Sequence, residues 1–367
     1  MMKIDLGVEA LSPQLTGIGR YTLELMRGLQ NHPDVGELRS IYNGITATDP
    51  EGLLRGVIPQ GTRKRKKWQR WVDRTMTTLQ SRKRLYHGPN FMLPPEAKSG
   101  IITVHDLSVY KFPEMHPPER VAHFERDFNR SLERALHIIT DTHEVRRELA
   151  EFANIPEDRI TAIHLGVNPA YRPNRAIDGS VDYSSYAIEP DGYILLVATF
   201  EPRKRIDAAL NAFRLLPDNL KKRYPLVLAG ATGWQNDALH ELMSRDEAKG
   251  YIRFLGFVPE GDLPGIYSGA RLFLYPSIYE GFGLPPIEAM ASGVPIIVSN
   301  RSCLPEVTCG AAMMINPDDT EGFAAAIAKG LEDDTWRRDA IDLGLKVAAG
   351  YTWEKCVDQT VQVYQSV

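Results

Sequence analysis

Cysteine is scarce in this chain. Three occur, Cys303, Cys309 and Cys356, too few for a disulfide framework, which fits a reducing compartment. Long apolar runs are missing as well. No stretch reaches the roughly 20 residues of a membrane span. The opening Met-Met-Lys-Ile-Asp-Leu-Gly-Val reads as a strand, not as the apolar core of a signal peptide. The expected location is the cytoplasm, with any membrane contact peripheral and on the inner face. Net charge is small, −4, so nothing points globally to nucleic acid. An Asp-x-Asp pair, clustered His/Cys ligands, a Gly-x-Ser-x-Gly elbow and a Walker loop are all lacking. No metal and no cofactor is expected, and any phosphate must be neutralised by Arg, Lys and helix dipoles.

What is present is an ordinary soluble composition. The 367 residues favour two domains over one. Apolar strand patterns alternate with helical ones twice over, as in open parallel α/β sheets. Lys3–Val8, Leu85–His87, Ile101–Val104, His137–Thr140 and Ile160–His164 read as strands of a first half, over residues 1–170. Residues 171–190 are polar and irregular and read as a linker. Tyr193–Ala198, Leu226–Ala229, Ile252–Leu255, Leu272–Tyr275 and Ile296–Ser299 read as strands of a second half, over 191–350. Two doubly wound halves imply a cleft, with ligands at the carboxyl ends of the strands.

The most informative stretch is Glu280-Gly-Phe-Gly-Leu-Pro-Pro-Ile-Glu288. It follows the apolar run Leu272–Tyr275. Pro285 and Pro286 suit the first turn of a helix, and Gly293 suits its end. The loop thus joins a strand's carboxyl end to a helix N-terminus, where free N–H groups and the helix dipole favour an anion. Gly281 and Gly283 permit close approach of a ligand to the backbone. Glu280 and Glu288 could accept hydroxyls around that anion. A nucleotide sugar fits this chemistry; a tight turn with two solvated glutamates is the plainer alternative.

The run from Tyr279 to Val298, YEGFGLPPIEAMASGVPIIV, closely resembles the signature of retaining glycosyltransferases of family 4, two glutamates separated by seven residues. Leu304-Pro305-Glu306-Val307 resembles the loop that follows it there. The resemblance covers essentially the whole chain. It implies the GT-B architecture, two Rossmann-like domains facing a cleft, with a final helix in 351–367 crossing back to the first domain. It implies no metal requirement.

Other pieces then take roles that the resemblance supplies. Gly17-Ile18-Gly19 lacks the third glycine of a dinucleotide fingerprint, because position 22 is Thr; Gly17 matches the family's glycine loop facing the donor diphosphate. Val104-His105-Asp106-Leu107 resembles the segment whose histidine lies near the donor sugar. His105 there would bond a hydroxyl or assist proton transfer, against a His-Asp pair that merely caps a loop. Glu201-Pro202-Arg203-Lys204-Arg205 places three cations after a strand, as a diphosphate clamp or as a solvated basic turn. Lys204 matches the family lysine. The family's arginine about five residues earlier is absent, Thr199 standing near there, and Arg203 is the candidate replacement. Phe254–Pro259 resembles the segment meeting the nucleotide base, which nominates Val258. Phe282, Gly283, Leu284 and Glu288 are the implied donor-binding residues of the loop, Glu288 on the ribose. His87-Gly88-Pro89-Asn90 resembles an acceptor-side loop.

Residues 63–84 hold ten Lys/Arg against one acid, Asp73, with Trp68 and Trp71 among them. This suits either anionic lipid headgroups or a solvated helix face. The expected function is retaining transfer of a sugar, mannose from GDP-mannose first and a UDP-sugar second, to a glycan or lipid-linked acceptor. The variant residues 197–204, VATFEPRK, resemble bacterial mannosyltransferases of surface polysaccharide synthesis. A nucleotide-sugar epimerase on the same fold and a non-catalytic binding protein are the rivals.

Overall fold

The computed structural model describes residues 1–59, 84–173, 179, 181–231, 243–244 and 246–367. The basic stretch 63–84 with Trp68 and Trp71, Arg84 excepted, lies outside the described residues, as does part of 171–190. The chain divides into two compact units, Met1–Gly166 with Trp353–Val367, and Val167–Thr352.

The first unit carries β1 (Met2–Gly7), β2 (Val35–Tyr42), β3 (Ile45–Thr46), β4 (Leu85–Gly88), β5 (Gly100–Val104), β6 (Ala135–Thr140) and β7 (Ile160–Ala162). Their order in the sheet is β3-β2-β1-β4-β5-β6-β7. β3 runs antiparallel to β2 and the other pairs are parallel. All five residues of β5 are buried, because a parallel sheet is covered on both faces. Each large aliphatic side chain so buried contributes about 1.5–3 kcal/mol.

Two of these strands differ from the sequence expectation. β2 was not anticipated because its charged residues hide it: Arg39 makes two bonds to Asp5, at 2.8 and 2.6 Å, and Arg84 reaches the same carboxylate at 2.6 Å. Asp5 is fully buried in β1, so the cations of the neighbouring strands stabilise the sheet where apolar residues would be sought. β3 is only two residues long.

The helix Trp353–Gln365 belongs to the first unit and packs on the helix Gly17–Asn31. A methyl group on Gly28 would stand 2.4 Å from Val357 Cγ2, so the missing side chain is what lets the helices approach. Tyr364 Oη lies 2.6 Å from His87 Nδ1, and His87 Nε2 lies 2.8 Å from Thr103 Oγ1, which in turn meets Tyr21 Oη at 2.9 Å. Burial pushes the His87 imidazole down to about 3, with the neighbouring His105 adding to the effect. The ring is therefore a neutral link between the terminal helix and the sheet.

The second unit carries β8 (Ile194–Val197), β9 (Leu226–Ala229), β10 (Ile252–Gly256), β11 (Leu272–Tyr275), β12 (Ile296–Ser299) and β13 (Met313–Ile315), in the order β10-β9-β8-β11-β12-β13. All pairs are parallel. β13 is a three-residue edge strand that the sequence reading did not anticipate. Residues 171–190, read as a linker, fall inside this unit. Tyr171, Val181 and Ile188 are buried. Tyr183 and Tyr186 donate to Gly265 O and Asp262 Oδ2, at 2.7 and 2.6 Å, so aromatic hydroxyls dock a segment that looks polar in sequence.

Strand order reverses between β1 and β4 in the first unit and between β8 and β11 in the second. These switch points open a crevice at the strands' carboxyl ends, the usual place for a ligand in such sheets. Among the described residues no helix is long and apolar enough to cross a membrane.

Candidate active site

The switch point of the second unit gathers most of the residues nominated from sequence. β8 ends at Val197, and a single 3-10 turn, Pro202–Lys204, follows it. β11 ends at Tyr275, and the loop after it leads to the helix Leu284–Ala291. The two exits are tied together through the backbone. Ile278 N donates to Arg203 O at 2.9 Å, and the Arg203 guanidinium donates to Tyr279 O at 2.8 Å. The Ser277 hydroxyl also donates to Arg203 O, at 3.2 Å.

This binding of loop to loop sets three charges against one another. Lys204 Nζ lies 2.5 Å from Glu280 Oε1, and Arg203 Nη1 lies 3.2 Å from Glu280 Oε2. Arg203 Nε holds Glu201 at 2.9 Å. The Tyr275 hydroxyl completes the group, accepting from Lys204 Nζ at 3.0 Å and donating to Glu280 Oε1 at 2.9 Å. Lys204 and Glu280 are both buried. Burial favours the neutral acid, but the Lys204 and Arg203 charges outweigh it and hold the Glu280 carboxyl at about 2. Burial, together with Arg203, lowers the Lys204 ammonium against the support of Glu280. Burial and the Glu280 carboxylate keep the Tyr275 hydroxyl protonated far above neutral pH. The result is two cations held in a desolvated crevice by Glu280, with Glu201 on the far edge of the Arg203 guanidinium.

The third cation of the run does not join them. Arg205 takes a left-handed backbone conformation, φ 49°, and pairs with Asp207 at 3.3 Å and Asp318 at 2.7 Å. The sequence reading grouped all three cations; the structure sets Arg205 apart from Arg203 and Lys204.

The loop leads into the helix through a glycine cap. Gly283 is the helix cap at φ 90°, a conformation that favours glycine, and no side chain caps the first turn. Leu284 opens the helix and Pro285 and Pro286 follow, removing two N–H donors that would have no intrahelical partner. The Ser302 hydroxyl accepts from Glu280 N at 3.2 Å and donates to Glu280 O at 2.7 Å, fixing the backbone that carries the carboxylate. Phe282 is buried edge-on to Tyr351, ring centroids 5.5 Å apart. Glu288 is buried on the same helix, close enough to Tyr267 to raise that phenol further after burial has raised it. Val258 is buried just beyond the end of β10.

Gly17 and His105 belong to the first unit. Gly17 is the exposed first residue of its helix, capped by Thr16, whose hydroxyl accepts from Gly19 N at 3.3 Å. Gly19 is the glycine the loop requires: a methyl there would stand 2.8 Å from Ala10 O. His105 follows β5 and is buried. Its Nδ1 lies 2.7 Å from Asp141 Oδ2 and its Nε2 lies 2.8 Å from Pro89 O. Burial opposes charge on the ring, but Asp141 prevails and the imidazole is held above its ordinary value. Burial in turn raises the Asp141 carboxyl, against the support of His105. In this geometry His105 bridges Asp141 and Pro89.

Three residues with evident positions in the site were not singled out from sequence: Tyr275, Ser277 and Ser302. Tyr275 had a signal, as the polar-tipped last residue of an apolar run at a strand's carboxyl end. Ser302 had none in one dimension, because its contact depends on a left-handed backbone, φ 55°.

The chain is similar to known proteins. Residues 184–346 match the family described as glycosyl transferases group 1. The O-antigen chain mannosyltransferase B of Escherichia coli is 36% identical across 99% of this chain and 100% of that protein. The O-antigen chain mannosyltransferase RfbU of Salmonella typhimurium is 30% identical across 64% of this chain and 61% of its own. At the level of fold, HepE of Anabaena, solved with UDP and glucose, superposes with a TM-score of 0.74 over 100% of both chains at 14% identity. WaaG, a glycosyltransferase involved in lipopolysaccharide biosynthesis, gives 0.73 over 98% and 99%, also at 14% identity. The chain belongs to the group 1 glycosyl transferases and has the GT-B fold.

Proposed function

We propose that this glycosyltransferase moves mannose from GDP-mannose, with retention at the anomeric carbon and without a metal, to a glycan or lipid-linked acceptor of a surface polysaccharide. The observation that carries the reading is the Arg203–Lys204–Glu280 group at the second unit's switch point. Two cations stand where a diphosphate would develop charge as it leaves, and Glu280 keeps them in place beforehand. The full-length relatedness to an O-antigen chain mannosyltransferase supports mannose as the sugar. The guanine assignment rests on resemblance to mannosyltransferases, and a UDP-sugar is the alternative the assay below separates from it.

In this reading the diphosphate takes up Lys204, Arg203 and the first-turn amides of Gly283 and Leu284. Glu280, relieved of part of that pairing, accepts a hydroxyl of the sugar. Glu288 accepts the ribose hydroxyls, and the backbone at Val258 meets the base. The bond from the anomeric carbon to the phosphate oxygen breaks, and the acceptor oxygen bonds the same face of that carbon. The acceptor's proton passes to the departing phosphate. Attachment to the inner face of the membrane belongs to the same proposal, as a consequence of a lipid-linked acceptor.

The test is a panel of GDP- and UDP-sugars incubated with the protein in EDTA, with and without an oligomannoside acceptor, and product anomers read by proton NMR. GDP-mannose consumed with an α-linked product is the expected result. Turnover of UDP-sugars alone would reassign the donor. Release of an epimerised sugar without acceptor would make the protein an epimerase, and recovery only on adding Mg²⁺ or Mn²⁺ would overturn metal independence.

A further inference from the structure

Tyr275 is the last residue of β11, and its neighbours fix the ring before its hydroxyl makes a bond. All four residues of the strand are buried. Phe273 lies two positions earlier, on the same face of the strand, and the two rings stack with centroids 6.1 Å apart. Tyr267 packs on Phe273 in turn, at 5.4 Å. The hydroxyl therefore reaches the crevice with little rotamer freedom left to lose.

Two charged groups meet at that hydroxyl. It accepts from Lys204 Nζ at 3.0 Å and donates to Glu280 Oε1 at 2.9 Å. Lys204 Nζ also donates to the same Oε1, at 2.5 Å. Ammonium, phenol and carboxylate thus close a triangle of three hydrogen bonds. An ammonium has three donors, so one remains for a ligand. The Lys204 ammonium also stands 5.3 Å from the centre of the Tyr275 ring, within reach of a cation–π attraction. Arg203 and Glu201 are the other charges that act on the ammonium, and the Cys303 thiol acts on the phenol. Phenylalanine would pack equally well at this strand end, so packing does not account for the hydroxyl.

The donor reading above gives Glu280 two tasks. It holds Lys204 before the donor binds, and it accepts a sugar hydroxyl afterwards. The second task loosens the first, and a buried ammonium with a loosened counter-ion loses its proton more readily. The Tyr275 hydroxyl is free of this conflict, because it can go on accepting from Lys204 while Glu280 turns. We propose that Tyr275 is a positioning residue of the transfer reaction, whose hydroxyl keeps the Lys204 ammonium in place and charged when Glu280 turns to the donor sugar. The proposal rests on the donor reading and deepens it. Tyr275 acts through Lys204 and touches neither diphosphate nor sugar.

The test uses Tyr275→Phe, which keeps the ring and removes only the hydroxyl. With GDP-mannose and an oligomannoside acceptor, kcat should fall about 10- to 100-fold, as for loss of a hydrogen bond to a charged group. The donor KM and the GDP affinity should stay within about threefold of wild type, since the loss falls on the reacting complex. The alkaline limb of the kcat profile should move to lower pH, because the ammonium has lost an acceptor that favours its charged form. Placed on Lys204→Met, the same change should cost less than about twofold, with no ammonium left to hold. Carbon NMR of isotope-labelled lysine reads the hold without any donor, the Lys204 signal being the one lost in Lys204→Met. Lys204 should titrate at a lower pH in Tyr275→Phe than in wild type. Equal kcat in the two proteins, an undiminished cost on Lys204→Met, or an unchanged Lys204 titration would each overturn the proposal. A variant that unfolds, seen as titration at the ordinary lysine value, would give the hydroxyl a structural role and overturn it too. If wild type turns over no GDP-mannose while the Lys204 titration shifts as stated, the donor reading fails alone.

Discussion

Both units place charged side chains at the point where strand order reverses, yet the glutamates there are shifted in opposite directions, Glu280 down and Glu9 up. In the second unit, Arg203 and Lys204 face Glu280 and Arg203 also holds Glu201, and the two cations outweigh burial to bring the Glu280 carboxyl to about 2. In the first unit, Glu9 forms no ion pair among the described residues, and loss of hydration and then the neighbouring acid Glu96 raise its carboxyl. Topology alone would make the two crevices equivalent. What separates them is which side chains the strand exits deliver: a 3-10 turn carrying Arg203 and Lys204 after β8, and a glutamate two residues beyond β1.

The largest effect should come from removing that positive charge. Lys204→Met is expected to lower kcat by two to three orders of magnitude, about the loss seen when one preorganised group facing a developing anion is deleted. Steady-state transfer assays would measure it. A fall of less than about tenfold would break the distinction between the two crevices.

Acid stability should distinguish them next. The Glu280 carboxyl is lowered on folding, so its pairing stabilises the protein above the unfolded value of 4.5 and fades as pH falls toward about 2. Glu280→Gln should cost on the order of 3 kcal/mol at pH 7. The gap from wild type, read by urea denaturation, should close progressively between those two pH values. A gap that stays constant with pH would mean that the cations do not act on this carboxylate. The corresponding Glu9→Gln change should produce no such cost, because the Glu9 shift runs in the opposite direction.

The smallest effect sharpens the separation of the units. Tyr364→Phe strips His87 Nδ1 of its partner in a fully buried network. It should cost about 1 kcal/mol, or about 2–4 °C in the melting of a unit this size. GDP affinity should not change. A change in GDP affinity would show that the terminal helix acts on the donor site as well.

Much of this was legible in one dimension, and the parts that were not share physical causes. β9, β11 and β12 are buried on both faces, so their runs of Leu, Ile, Val and Phe announce them. β2 carries Glu37 and Arg39, which pair with Lys3, Arg84 and Asp5 across the sheet, and an ion-paired strand has no hydrophobic period to read. In the second unit's crevice Lys204, Arg203 and Glu280 stood out by type and spacing. Arg205 looked equivalent to its neighbours, and only its left-handed backbone turns it toward Asp207 and Asp318. Glu9 was silent in the sequence, a single acid after a strand, because its shift depends on neighbours such as Glu96 that lie far along the chain.

The central claim is that the second unit's crevice recognises a nucleoside diphosphate through two fixed cations, and calorimetric titration in EDTA tests it most directly. GDP and guanosine would be titrated into wild type and Lys204→Met. GDP should bind wild type far more tightly than guanosine does, and Lys204→Met should remove most of that difference while leaving guanosine unaffected. GDP affinity equal in wild type and variant, or no GDP binding at millimolar concentration by the folded protein, would contradict the account.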